Sequence, residues 1–137
     1  MRKVINFQLI VIVMVLVLIS FYCIGYAAEE ILTWDKTFGG IEVDMANSII
    51  QTEDGGYAVA GYTWSKGAGR EDAWLIKLDE NGDVVWDKTF GGSNEDVARC
   101  IIQAEDGGYV LAGYTESKGA GRYDVWVIKL DEEGNLE

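Results

Sequence analysis

The chain has 137 residues, with 23 acidic against 11 basic side chains and a formal charge of −12. That sign excludes nucleic acid and anionic membrane surfaces as natural partners, since both attract the opposite charge. Histidine is missing altogether, and only one of the two cysteines, Cys100, lies beyond residue 28, which excludes an intrachain disulfide in that region and every His-dependent triad.

Residues 1–28 read as a targeting segment. Arg2 and Lys3 precede an unbroken apolar run from Leu9 to Ile19, and the small-residue pattern Gly25, Tyr26, Ala27 follows. This is the layout of a signal peptide cleaved after Ala27 or Ala28. The apolar character continues with a single Ser to Ile24 and approaches the ~17 residues needed to span a bilayer. The alternative is therefore a hydrophobic helix retained as a membrane anchor. Phe21 and Tyr22 are too bulky to precede a lipidated Cys23. Either way the expectation is export to the cell surface or beyond, with the membrane touched only through this segment. Removing Arg2 and Lys3 takes the charge from −12 to −14.

The remainder, 29–137, is a two-repeat domain. Residues 34–85 and 86–137 align without a gap, and 35 of the 52 pairs are identical. Identity this high predicts that both copies fold alike. Within a copy, "EDGG" at 53–56 and "ENGD" at 80–83 supply the glycine a tight hairpin requires, and "EDGG" returns at 105–108. "AWLIKL" alternates Trp74, Ile76 and Leu78 against Ala73, Leu75 and Lys77, a period of two. The predicted strands are 45–51, 57–63, 73–79 and 84–90, here A to D, and the absence of proline suits strands that keep their ladder donors. Helical periodicity of useful length is lacking after Ala28.

A four-stranded antiparallel sheet repeated every 52 residues, with paired glycines and recurrent aromatics, is the pattern of a β-propeller blade. The ensemble "WDKTFGG", "DxAxxIIQ", "DGGYxxAGYT" and "DxWxIKLD" resembles the tandem repeats of large exported prokaryotic propeller-type proteins. The resemblance spans nearly all of 31–137 and implies a fold and an exported location, with no reaction to carry over. Such proteins usually hold more than two copies.

The fold expected is thus all-β: two four-stranded antiparallel propeller-type blades after an N-terminal hydrophobic helix. The order is circularly permuted. "ILTWDKTFGG" at 31–40 matches strand D, whereas the second copy offers only A, B and C. The N-terminal strand is expected to complete the last blade by pairing residues 31–38 with 125–131. Since propellers need about four to eight blades, three arrangements are open. Copies self-associate head to tail into a closed ring, three chains giving six blades and four giving eight; the chain is a fragment; or a compact monomer makes the splice internally.

In propellers the D-to-A and B-to-C connections share the channel face. Here the latter contain "SKGAGR", in which Gly67 and Gly69 flanked by Lys66 and Arg70, with Lys118 in the second copy, suggest a phosphate cradle; no helix N-terminus follows, and the competing reading is a flexible hairpin connection. "GRxDxW" places Arg70, Asp72 and Trp74, and again Arg122, Asp124 and Trp126, two residues apart on one strand face. Cation, carboxylate and indole together suit a sugar; the competing reading has the carboxylate capping loop amides and the indole filling space between sheets. Asp79, Asn81 and Asp83 bring calcium-type oxygens to one turn, weakened to Glu133 and Asn135 in the second copy, so calcium is a possible ligand and no other cofactor is expected. Cys100 aligns with Ser48 and reads as a small strand residue.

The function expected is an exported, non-catalytic propeller-type binding or scaffold module, directed at a glycan or a protein. The alternatives are a polysaccharide hydrolase or lyase using Asp44 and Asp96 at the channel mouth, and an inert fragment of a longer propeller. Near-identical repeats give two carboxylates one environment, whereas acid and base roles need two.

Overall fold

The computed structural model describes residues 32–136, together with Ile12, Met14 and Val15; the expected signal or anchor helix over 1–28 otherwise lies outside the described residues. Trp34–Glu137 forms one compact unit. Its seven strands are β1 (Asp44–Gln51), β2 (Tyr57–Thr63), β3 (Asp72–Leu78), β4 (Val84–Phe90), β5 (Asp96–Gln103), β6 (Tyr109–Thr115) and β7 (Asp124–Leu130). They make two antiparallel sheets, ordered β1-β2-β3-β4 and β5-β6-β7. β1 and β3 each begin one residue before the expected start, because Asp44 and Asp72 enter the ladder opposite Thr63.

The hairpins follow from the turn glycines. At β1–β2, Gly55 adopts φ +85° and its N–H donates to the Thr52 carbonyl at 2.9 Å. At β3–β4, Gly82 adopts φ +73° and donates to Asp79 at 3.1 Å. Any residue with a Cβ would be strained in this region. Gly107 and Gly134 repeat the two turns. β1 and β5 carry the same irregularity, a register shift between Ala46 and Ser48 and between Ala98 and Cys100.

Each sheet has two faces set by the period-two alternation. The first face of sheet one carries Tyr57, Val59, Trp74, Ile76 and Leu78, against which Trp34 and Phe38 pack. Its second face carries Ala58, Ala60, Ala73 and Leu75, and these join Ile101, Tyr109, Leu111, Ile128 and Leu130 of sheet two in the main core. The two sheets therefore stack in the same sense, the second face of one on the first face of the next. Small alanines on one side and long aliphatics on the other let them interdigitate.

One expectation is corrected here. The N-terminal strand does not complete the last sheet within the chain: sheet two has three strands, and 34–40 joins no ladder. The reason is positional. Trp34 lies edge-on to Tyr57, centroids 5.6 Å apart, as Trp86 lies on Tyr109 at 5.8 Å. Lys36 contacts Asp83 as Lys88 contacts Asn135, 52 residues on. The segment therefore occupies the D-strand position in front of sheet one. Sheet two packs on the opposite face, so β7 is out of reach.

Candidate functional site

The connection into each sheet is held by an aspartate. Asp44 accepts hydrogen bonds from the Gly40 N–H and the Ser65 hydroxyl, both at 2.8 Å, and from the Thr63 hydroxyl. Asp96 repeats this with Gly92, Ser117 and Thr115. Burial opposes charge at Asp44, but hydrogen bonds from Thr63, Gly40 and Ser65 outweigh it and hold the carboxyl below its ordinary value. A carboxylate so held ties the D-to-A connection to the B-to-C loop. A general acid needs the reverse shift.

The "GRxDxW" residues separate by role. Asp72 is buried and accepts from the Ala68 and Gly69 amides at 2.9 Å each, so its carboxylate caps its own loop. Arg70 is exposed on that loop. Trp74 is buried and donates its indole N–H to Asp87 at 2.8 Å, while Lys66 lies 5.1 Å from the ring centroid and reaches the same Asp87 oxygen at 2.5 Å. Burial opposes charge at Asp87 too, and Lys66 and Trp74 together keep its carboxyl below the usual range. The structure thus brings Lys66, Trp74 and Asp87 together and leaves Arg70 outside. Asp87 is absent from the sequence-level candidates, although its recurrence as Asp35 in "WDKTF" is the available signal.

In sheet two the same cluster is incomplete. Lys118 lies 4.8 Å from the Trp126 ring centroid, but no carboxylate joins them among the described residues. Arg122 turns to Tyr123 and to Glu116, 3.6 Å away. Asp124, unlike Asp72, keeps Oδ2 buried without a hydrogen-bond partner. At the proposed calcium turn, Asp79 accepts the Asn81 and Asp83 amides at 2.9 and 2.8 Å, and Lys36 takes Asp83. Among the described residues no group of three or more acidic, Cys or His side chains is placed to hold a metal ion, and no helix is long and apolar enough to cross a membrane.

Two faces stand open. Ala73 and Leu75 are fully buried on the second face of sheet one, whereas their counterparts on sheet two, Val125 and Val127, are 88% and 60% exposed. Conversely Ile101 is 3% exposed on the first face of sheet two, and its counterpart Ile49 is 57% exposed. Above sheet one this leaves a cleft of about 200 Å³ lined by residues including Phe38, Met45, Ala46, Val59, Gly61 and Trp74. The equivalent space on sheet two, bounded by Val97, Ala98, Leu111, Gly113 and Trp126, is closed by Ala73.

Compared with known families and with curated proteins, the chain matches no family model and no curated sequence.

Proposed function

We propose that the chain is an exported, non-catalytic scaffold module of the β-propeller type, whose protein ligand is another copy of itself, added head to tail. One observation carries this reading: the open second face of sheet two and the open first face of sheet one are the two sides of the interface already built inside the chain. With 35 of 52 positions identical between the repeats, a face that fits internally fits externally. Apolar surface left by Val125, Val127 and Ile49 is what association removes from water.

The interface is heterologous, so addition continues until a ring closes or a filament extends. A ring of about six or eight blades would take three or four chains. The export reading rests on Arg2, Lys3 and the apolar run behind them. The non-catalytic reading is supported by Asp44 and Asp96, whose oxygens are engaged as acceptors in loop contacts. At the first "GRxDxW" Asp72 caps its loop and Trp74 is buried, so that copy offers little to a glycan.

Light scattering on the exported protein tests the reading. The mass expected is that of three or four chains, independent of concentration above the association threshold. A monomer at every concentration up to the millimolar range would overturn it.

A further inference from the structure

We propose that Lys118 and Trp126 are half of an intermolecular site, completed by Asp35 of a second copy, whose cleft at the same time receives Val125. The proposal rests on the self-association reading and adds to it the register and the residues.

The internal interface is the template. β3 pairs with β4 so that Ile76 faces Asp87, Trp74 faces Thr89 and Ala73 faces Phe90. Moved on by one repeat, Ile128 faces the incoming Asp35, Trp126 faces Thr37 and Val125 faces Phe38. Asp35 then stands where Asp87 stands in sheet one. It accepts from the Trp126 indole and from Lys118, both already stacked and lacking a carboxylate. Asp35 is exposed on a segment that joins no strand, so its backbone groups are free to form the ladder with the outer edge of β7.

Shape agrees with charge. Ala73 closes the space between Val97, Leu111, Gly113 and Trp126, and Val125 holds the Ala73 position on the open face. The open cleft has Val59 where the closed one has Leu111, over the backbone of Met45 and Gly61. The larger Val125 enters where Val59 is smaller than Leu111. Gly61 is required at the cleft floor: a Cβ there would lie 1.9 Å from the Met45 carbonyl oxygen.

Two single variants block opposite ends. Val125→Glu disables the β7 face and leaves the cleft and 34–40 intact; Ile49→Glu, opposite Val59 on the open first face, does the reverse. Both positions are at least half exposed, so the chain itself folds, as circular dichroism would verify. Burying an unpaired carboxylate should weaken association at least ~100-fold, so each variant runs as a monomer where the wild type assembles. Their equimolar mixture yields a heterodimer and nothing larger, since one intact face of each kind remains. Asp35→Lys weakens assembly by about 10-fold or more, and adding Lys118→Asp in the same chain recovers it. A wild-type monomer would defeat the self-association reading and this inference with it. A wild type that assembles, with Val125→Glu and Ile49→Glu assembling unchanged and Asp35→Lys without effect, would overturn this inference alone.

Discussion

Sheet one and sheet two are built from almost the same residues and differ in what covers them. Ala73 is fully buried and Val125 almost fully exposed, yet the two hold the same ladder position opposite Tyr62 and Tyr114. Asp72 satisfies two loop amides, and Asp124 leaves an oxygen unpartnered. Burial here is therefore a property of the neighbour as much as of the strand. A repeat of this kind buries its apolar faces only against another repeat, which is the general condition of stacked-repeat architectures.

The largest expected effect separates Leu75 from Val127. Leu75→Ala empties a fully buried site between the sheets and should cost about 2–5 kcal/mol. Val127→Ala at the equivalent, exposed position should cost under ~0.5 kcal/mol where no second copy covers it. Urea denaturation of both variants checks this, and equal losses would erase the distinction between covered and open faces.

A smaller contrast is expected at the loop aspartates. Asp72→Ala removes the acceptor for two amides and should cost about 1.5–3 kcal/mol. Asp124→Ala should cost less than half of that, since its Oδ2 has no partner to lose. If copies associate as proposed and the neighbouring copy tightens the second loop, the two values should converge; thermal melts at low and high protein concentration read this directly.

The smallest contrast is acid sensitivity at the hairpin bases. Asp54 accepts from the buried Lys77 and from Thr52, and the Lys77 hydrogen bond is the main cause of its carboxyl being pulled down from 3.8 to about 2. Asp106 is lowered by the same kind of bond from Lys129, whose side chain is far more exposed. A depressed carboxyl stabilises the fold above its unfolded value and loses that contribution as pH falls through its folded value. Asp54 should thus stay ionised until pH approaches about 2. Carbon-detected NMR titration of the two carboxyls checks it, and Lys77→Met should return Asp54 toward its ordinary range.

Much of this architecture is visible in the residues. Glycines at 55, 82 and 107 mark the hairpins, and the alternation in "AWLIKL" predicts which side chains of β3 share a face. The gapless repeat announces two equivalent sheets. The place of 34–40 is half legible: matching "WDKTFGG" identifies its strand type, but the aromatic contact that docks it in front of sheet one, Trp34 on Tyr57, is long-range and leaves no local trace. The site was harder to read for a similar reason. Asp72 and Trp74 look like one constellation because they are two residues apart, but loop amides claim the first and Asp87, thirteen residues beyond Trp74, claims the second. Spacing along a strand reports a shared face and says nothing about the neighbouring strand.

The way Trp34 repeats Trp86 also bears on how such a gene can change. Every seam uses one set of contacts: a tryptophan over a tyrosine, a lysine at a turn, an aspartate gathering a Thr and a Ser. Inserting one 52-residue unit between the two copies would leave both outer faces chemically as they were and add only an interior seam. Unequal recombination between such alike stretches of coding sequence would then change copy number in whole units, each new unit meeting faces of the kind it carries itself.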